Sequence, residues 1–440
     1  MPPRPRLNRF LALVLLGSFA GAGTCQAQGG SAHYVDGGSA AARDSPGNGS
    51  EANPWRTIGY GISRLGSGDT LNVRAGTYNE VFAITGPSGS ADAPTVIRAC
   101  PGQAVTLRGN GINTGRLRID GARFMALEGI GVTQFNQGIF IEGSDHIVLR
   151  NCAVYGVGQE GISIHSNSSY VTVEGCTVHD TGTWRYNGEG IYVGTGDSAP
   201  AELDNTHHVA LLRNTIYSTT DEAIELKIGT HDITVDGNTI HHANTALNGF
   251  GGAAIEVNQS VGSIQHWNGN PKQIVRNNVV HDVGPGTGGT AVNSAIRAGT
   301  GGMYCNNVVY NINPLGDGIL VDNESGDSYI RHLYHNTIDA PSARAIAGSA
   351  GAEIRNNIGP AAAGNLPAST SYFVDRAGAD YHLAPGSAPI HAGLDLAAKV
   401  PTDIEGVSRQ ADTPPDLGAY EYVPAGRPTP PALAPSSHGA

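Results

Sequence analysis

The chain has 440 residues and a formal net charge of −12, with 38 acidic residues against 26 lysines and arginines. Because phosphate binding requires a basic face, this balance argues against a nucleic-acid partner. The composition of 62 glycines and only 8 phenylalanines favours many short strands and tight turns over a helical globule.

The N-terminal segment predicts export. Arginines at positions 4, 6 and 9 precede an apolar run that begins at Phe10, and small residues follow as far as Ala27. We interpret residues 1–27 as a secretory signal peptide cleaved after Ala27; acylation of Cys25 is the alternative. No other stretch approaches the ~20 apolar residues that span a bilayer. We therefore expect a secreted monomer, extracellular or periplasmic, without a membrane span.

An internal repeat organises residues 106–360. Its first element is Gly or Ala followed by an apolar-x-apolar-x strand, at Gly138–Glu142, Gly161–His165, Gly190–Gly194, Ala223–Lys227, Ala254–Asn258, Ala295–Gly299 and Gly318–Asp322. Its second element begins at Cys152, Cys176, Asn214, Asn238, Asn278, Asn307 and Asn336. The shortest interval, 24 residues from Cys152 to Cys176, predicts one coil, and longer intervals predict a coil with an inserted loop. The repeat therefore predicts an all-β protein, a right-handed parallel β-helix whose coils pack on their neighbours.

The repeated asparagines have a structural explanation. Amides stacked ~4.8 Å apart can hydrogen-bond along the axis of the solenoid. We expect Asn214, Asn238, Asn278, Asn307 and Asn336 to form such a ladder and to have no catalytic role. Cys152 and Cys176 occupy the same column on adjacent coils, where either a disulfide or two buried thiols would fit.

Motifs at both ends of the chain carry a family resemblance. The opening contains Tyr34-Val35-Asp36, Pro54-Trp55-Arg56-Thr57-Ile58, Gly68-Asp69-Thr70, Arg74-Ala75-Gly76-Thr77-Tyr78 and Ala93-Pro94-Thr95-Val96-Ile97, and the end contains Tyr381-His382-Leu383, Gly386-Ser387-Ala388-Pro389 and Asp416-Leu417-Gly418-Ala419-Tyr420-Glu421-Tyr422. Over residues 31–423 the chain resembles secreted right-handed β-helix proteins of the pectate lyase-like superfamily. We expect an N-terminal cap and first coils over 28–105, the β-helix with the site over 106–360, a closing segment over 361–423, and a disordered tail over 424–440. That superfamily contains lyases, hydrolases, epimerases and non-enzymatic modules, so the resemblance is more specific for fold than for activity.

The segment around Asp221 adds a resemblance in the site. Asp221-Glu222-x-x-Glu225 is similar to the acidic calcium signature of some pectate lyases, although two of its three acids are glutamates here. Lys227 follows two residues later, which resembles chondroitinase B-like lyases, where glutamate ligands closely precede a lysine base. The resemblance implies a Ca²⁺ ion beside Lys227.

Residues between the buried positions of the repeated strand should project to solvent. One such column reads Phe140, Ser163, Tyr192, Glu225, Glu256, Arg297 and Leu320; the next reads Glu142, His165, Gly194, Lys227, Asn258, Gly299 and Asp322; the turn before the strand contributes Gln137, Glu160, Glu189, Glu222, Ala253, Ser294 and Asp317. Carboxylates stacked in this way either raise each other's pKa or hold a cation, for which Ca²⁺ is the natural candidate. We predict a Ca²⁺ site formed by Glu189, Asp221, Glu222, Glu225 and Glu256. The alternative is an exposed acidic stripe without an ion.

These residues predict a Ca²⁺-dependent lyase that cleaves a uronic acid-containing polysaccharide by β-elimination. Lys227 would be the general base, and the cation would offset the carboxylates that raise its pKa. Arg297 would bind the substrate carboxylate, and His165, Tyr192 and Asn258 would contact the sugar. Salt bridges to neighbouring glutamates are the alternative for both Lys227 and Arg297.

Two other functions fit the same pattern. Glu225 paired with Glu256 or Glu222 could act as the carboxylate pair of a glycoside hydrolase, or serve a uronate epimerase. A non-catalytic glycan-binding module is also compatible, because β-helices present long flat faces.

Overall fold

The computed structural model describes residues 30–86, 88–184, 187–195, 204–245, 252–258, 273–284, 294–322, 329–410 and 414–424. The predicted signal peptide, with Cys25, and all of the predicted tail except residue 424 lie outside these ranges. Within them, no helix has the length and apolar character needed to cross a bilayer.

Three parallel sheets, A, B and C, form the body of the molecule, and each coil passes through them in the order C, A, B. Sheet A contains β1 (Ala32–Val35), β2 (Thr70–Val73), β5 (Thr95–Ala99), β8 (Arg123–Glu128), β11 (Asp145–Arg150), β14 (Thr172–Glu174), β17 (Ala210–Leu212), β20 (Thr234–Asp236), β23 (Gln273–Arg276), β26 (Gly302–Cys305), β29 (Arg331–Tyr334) and β32 (Ala352–Arg355). Sheet B contains β3 (Gly76–Asn79), β6 (Val105–Arg108), β9 (Ile130–Thr133), β12 (Ala153–Tyr155), β15 (Thr177–His179), β18 (Thr215–Tyr217), β21 (Thr239–His241), β24 (Val279–Val283), β27 (Val308–Ile312), β30 (Thr337–Asp339), β33 (Ile358–Gly359) and β34 (Leu366–Pro367).

Sheet C carries the predicted site. It contains β4 (Ala83–Ile84), β7 (Leu117–Asp120), β10 (Ile139–Glu142), β13 (Ile162–His165), β16 (Ile191–Val193), β19 (Ile224–Leu226), β22 (Ala253–Val257), β25 (Ser294–Ala298), β28 (Ile319–Val321) and β31 (Ile346–Ala347). The remaining elements are α1 (Ile58–Arg64), α2 (Ser342–Ala345), a 3-10 turn (Thr370–Tyr372) and the antiparallel pair β35 (Phe373–Asp375) and β36 (Asp380–Leu383).

Stacked aliphatic side chains fill the interior of the solenoid. Ile191, Ile224 and Ile255 are successive partners across β16, β19 and β22, and all three are fully buried. Because side chains alternate along a strand, this register also fixes which residues point outward. The predicted right-handed parallel β-helix is confirmed.

The asparagine ladder is present and longer than predicted. Asn214 donates through Nδ2 to Oδ1 of Asn238 at 3.0 Å, and the same contact repeats along the column and continues through Asn357 to Asn365. The ladder confirms a structural role for these amides. Cys152 and Cys176 are buried free thiols, so the disulfide alternative is not realised.

The closing segment attaches to the last coils through buried polar contacts. Arg409 is 1% exposed, pairs with Glu421, and donates to Oδ1 of Asn306 at 2.8 Å. A buried guanidinium paired with a carboxylate in this way fixes the segment in one position, because leaving either charge alone would be costly.

Candidate active site

The register of sheet C builds the outward column that the repeat predicts. Tyr192 pairs with Glu225, Glu225 with Glu256, and Glu256 with Arg297 across four consecutive strands. The turn before each strand is aligned as well, because the amide of Gly190 donates to the carbonyl of Glu222 at 2.9 Å. Four coils therefore contribute side chains to one face.

This face is covered rather than open to water. Tyr192 is 8% exposed, and the five glutamates of the face, Glu160, Glu189, Glu222, Glu225 and Glu256, are between 4% and 8% exposed. The prediction that these side chains project into solvent is wrong, because neighbouring side chains in the column lie over one another. The exposure expected in the alternative, an acidic stripe without an ion, is wrong for the same reason.

Three carboxylates meet at the turn side of the column. One oxygen from each of Glu189, Asp221 and Glu222 lies within 4.8 Å of the others. Gly252 makes room for this group, since a Cβ atom there would stand 1.6 Å from Oε1 of Glu222. Two adjacent coils thus bring together three of the five predicted calcium ligands.

The protonation of this group is strongly perturbed. Burial, followed by the charge of Glu160, raises the pKa of Glu189 to about 9. Burial and the neighbouring Asp221 raise the pKa of Glu222 well above its ordinary value. Oε2 of Glu189 is buried and accepts no hydrogen bond within the described part of the chain. A hard cation with carboxylate ligands would supply the missing partner, so the residues present fit Ca²⁺.

Glu225 and Glu256 are engaged differently. Glu225 forms an ion pair with Lys227 and accepts a hydrogen bond from Nδ2 of Asn258 at 2.8 Å. Glu256 pairs with Arg297 at 2.8 Å, and the Nε of Arg297 also donates to Asp322 at 3.0 Å. The role of Glu225 and Glu256 as calcium ligands stays a prediction, and it requires an ion that competes with Lys227 and Arg297.

Lys227 lies inside the site. Its side chain is 19% exposed, and Nζ stands 5.2 Å from the centroid of the Tyr192 ring. Burial alone would lower the pKa of Lys227, but the adjacent Glu225 outweighs it and raises the pKa. Lys227 is therefore an ammonium ion in the resting site. The salt bridge to a neighbouring glutamate, which was the alternative for Lys227, is present, although it is largely buried rather than at the surface.

His165 forms part of an aromatic stack on the next coils. Its ring lies 4.7 Å from that of Phe140 and 5.3 Å from that of Tyr192, centroid to centroid. Burial lowers the pKa of His165 to about 4, and its Nε2 is buried without a hydrogen-bond partner among the described residues. The imidazole of His165 is therefore neutral at neutral pH, and it lies between the rings of Phe140 and Tyr192.

We expect an NMR titration of the folded protein to leave the His165 ring neutral down to about pH 4. The depressed pKa means that His165 favours the folded state above its unfolded pKa of ~6.5 and that this contribution is lost as the pH falls toward 4. His382 provides the internal contrast. Burial would lower its pKa, but Asp380 and Glu405 outweigh burial and raise it. A His165 titration near that of a free imidazole would contradict the stacked, buried geometry.

The fold brings to this face two residues to which the repeat pattern assigns no role, Arg116 and Asp322. Asp322 completes the contacts of Arg297, and Arg116 lies over Phe140 with its guanidinium carbon 4.3 Å from the ring centroid. A signal for Arg116 existed, because Leu117-Arg118-Ile119-Asp120 has the apolar-x-apolar-x pattern one coil before the first repeat considered.

Comparison with known proteins places the chain among β-helix proteins. Residues 38–192 match the family model described as Pel9A-like, right handed beta helix region. The structure of pectate lyase Pel9A superposes with a TM-score of 0.62 at 17% identity, covering 89% of this chain and 96% of that one. An alginate lyase from Paenibacillus sp. str. FPU-7 gives a TM-score of 0.53 at 18% identity, covering 63% and 90%.

Enzymes of another class also share the architecture. A lacto-N-biosidase from Eubacterium ramulus gives a TM-score of 0.50 at 14% identity, covering 71% of this chain and 60% of that one. The search among curated proteins finds no match. At these identities the likeness concerns the fold alone. Residues 38–192 thus match the Pel9A-like β-helix family, and the chain as a whole shares the right-handed parallel β-helix fold of pectate and alginate lyases.

Proposed function

We propose that the protein is a secreted lyase that cleaves a uronic acid-containing polysaccharide by β-elimination with the help of Ca²⁺. The observation that carries this proposal is the presence of a three-carboxylate group, with two buried glutamates and the half-buried Asp221, on the same face of sheet C as Lys227, Tyr192 and Arg297. The fold likeness to pectate and alginate lyases supports it.

Glu189, Asp221 and Glu222 would hold the cation. Bound Ca²⁺ would offset their charge and attract the uronate carboxylate, which acidifies the proton on C5 of the sugar. The guanidinium of Arg297 can bind the substrate carboxylate if its hydrogen bonds to Glu256 and Asp322 break. Electrostatic stabilisation of the enolate-like intermediate is then the main catalytic contribution.

Lys227 would carry out the proton transfer. Its neutral amine takes the C5 proton, the released electron pair forms the C4–C5 double bond, and the bond from C4 to O4 breaks. The departing O4 needs a proton, which the hydroxyl of Tyr192, next to Lys227, can donate. Because Glu225 keeps Lys227 charged in the resting site, productive binding must draw Glu225 away from it.

Substitution of Glu225 by Gln tests whether the amine acts as a base. Glu225 raises the pKa of Lys227, so its removal should lower that pKa. The base form then exists at lower pH, and the alkaline rise of kcat/KM should shift toward neutral pH in E225Q. The matched control is Glu142→Gln. Glu142 is the last residue of β10, in the outward column next to that of Glu225, and its replacement should leave the pH dependence of kcat/KM unchanged. An unshifted profile in E225Q would argue that Lys227 acts only as a fixed charge.

The proposed reaction has a direct assay. Protein incubated with pectate, alginate or a glycosaminoglycan in the presence of Ca²⁺ should produce ultraviolet absorbance from the unsaturated sugar at the new non-reducing end. If the absorbance rises with none of these acidic polymers, the result counts against the proposal.

Ca²⁺ itself should stabilise the folded protein. At a free concentration 100 times Kd, a ligand specific for the native state adds about 2.7 kcal/mol, which amounts to a few degrees in Tm. We expect this thermal shift, measured against chelator by differential scanning fluorimetry, to disappear in Glu189→Gln and Glu222→Gln. Glu160→Gln is the matched control, since it lies one coil away in the same turn column and bonds to Gln137 instead. If Ca²⁺ still raises the Tm of E189Q and E222Q, the ion binds at a site that does not include Glu189 and Glu222.

A hydrolase is the second candidate, and the same carboxylates favour it. Burial keeps Glu189 protonated at neutral pH, with a pKa of about 9, and an oxygen of Asp221 lies within 4.8 Å of it. A protonated acid beside a second carboxyl at ~5 Å is the arrangement of retaining glycosidases. Glu225 and Glu256, the pair first considered for this role, are neutralised by Lys227 and Arg297. New reducing ends without ultraviolet absorbance, unaffected by chelator, would favour the hydrolase.

A further inference from the structure

A concave feature lies on the same face as the site, toward the N-terminal end of sheet C. It is a cavity of about 630 Å³ whose lining includes Phe82, Arg116, Arg118, Phe140 and Glu142. This volume is within the range that accommodates small organic ligands and sugar rings. Two arginines against one glutamate make the lining positive, on a chain whose net charge is −12.

The two arginines differ in whether their guanidinium groups already pair with carboxylates. Arg118 forms ion pairs with Asp120 at 2.9 Å and with Glu142 at 2.7 Å. Arg116 has no carboxylate within ion-pair distance among the described residues, although its charge reaches Glu160. Its guanidinium instead lies over the Phe140 ring, a contact that orients the planar fork without consuming its hydrogen-bond donors. Arg116 therefore presents an oriented cation to the cavity.

The register connects this cavity to the site around Lys227. Phe140, Ser163, Tyr192 and Glu225 are successive partners in one column. Three strand spacings thus separate Phe140 from Glu225, which is ~14 Å along the axis. The rings of Phe140, His165 and Tyr192 stack continuously between the two points. A chain of sugars laid parallel to the axis would meet both features.

We propose that Arg116 forms a distal subsite that binds the carboxylate of an acidic sugar several residues along the polymer from the bond that is cleaved. This inference rests on the proposed action on uronic acid polymers and adds the direction of the bound chain and a length requirement. Oligomers long enough to span both Lys227 and Arg116 should bind more tightly than short ones. The advantage should depend on Arg116 and on the charge of the sugar.

The test is calorimetric titration of the full chain, made inactive by Lys227→Met, with uronic acid dimers and hexamers of the pectate and alginate types. With Arg116→Gln added, we expect the affinity for the hexamer to fall about tenfold, the value of one charge-assisted contact. Affinity for the dimer and for a neutral glucose hexamer should not change. Arg123→Gln is the matched control, an exposed arginine of the same coil on sheet A that pairs with Asp145.

The outcomes separate this subsite from the proposed reaction. Equal hexamer affinity in R116Q and R123Q overturns the subsite, whatever the absorbance assay on the wild-type protein shows. Arg116-dependent binding without any elimination product supports the subsite and overturns the lyase. Equal weakening of dimer, neutral hexamer and acidic hexamer also overturns the subsite, because it indicates a structural role for Arg116. Should R116Q unfold, Arg116→Lys keeps the charge without the fork, and its hexamer affinity must then fall below that of R123Q; equal affinity overturns the subsite.

Discussion

Replacement of Lys227 by methionine should lower kcat for uronide elimination by about 10³-fold, in the middle of the range attributed to general acid–base groups. The side chain keeps its length and its packing beside Tyr192, but it loses the nitrogen that is proposed to take the C5 proton. KM should change far less, because the proposed mechanism assigns the substrate carboxylate to Arg297 and the cation. The measurement is initial velocity by ultraviolet absorbance over a range of polymer concentrations.

Lys399→Met is the matched control for this substitution. Lys399 is the other lysine within the described residues, and it contacts Tyr334 and Glu353 on sheet A, away from the column that holds Lys227. We expect K399M to retain wild-type kcat. Activity of K227M within tenfold of wild type, with an unchanged melting temperature, would remove Lys227 from the reaction.

Replacement of Asn278 by alanine should destabilise the protein by about 4 kcal/mol, because several buried polar groups lose their partners at once. Asn278 accepts from the amide and from Nδ2 of Asn238 at 3.0 and 2.9 Å, and its own Nδ2 donates to Asn307 and to the carbonyl of Val235, both at 3.0 Å. All of these groups are inaccessible to water, so none can find a replacement. Chemical denaturation followed by circular dichroism measures the loss.

Asn113 provides the comparison for Asn278. It lies exposed in a turn, so Asn113→Ala should change the free energy of unfolding by no more than about 0.5 kcal/mol. Similar losses for both variants would mean that the ladder is not a principal source of stability. Wild-type activity per folded molecule in N278A would agree with a purely structural role for the amide.

The sequence predicts the register of this fold well, because strand periodicity and repeat spacing are local properties. Counting two residues per alternation is enough to align Tyr192, Glu225, Glu256 and Arg297, as the strand pairing confirms. Burial of the same column was not predictable in this way. It depends on which side chains lie over one another once the coils are stacked, as Lys227 does over Tyr192.

The repeat pattern also did not predict which partner each carboxylate of the acidic group contacts. Register fixes a position along the axis, but it does not say which of several nearby oxygens a flexible side chain reaches. The carboxylates of Glu189, Asp221 and Glu222 therefore lie close to one another, whereas Glu225 forms an ion pair with Lys227 of the same coil. Arg116 was missed for a related reason, since its cavity is walled by Phe82 from a distant part of the chain.

The asparagine ladder keeps the same spacing between coils whatever the number of residues in each coil. Asn214 and Asn238 are 24 residues apart and Asn238 and Asn278 are 40 apart, yet the amide contacts measure 3.0 and 2.9 Å. Extra chain therefore leaves the ladder undisturbed, as expected when loop closure costs grow only slowly with length. Segments inserted between rungs are free to diverge, or to be exchanged in the laboratory, while the column from Tyr192 to Arg297 keeps its spacing. New specificities can therefore evolve on an unchanged frame.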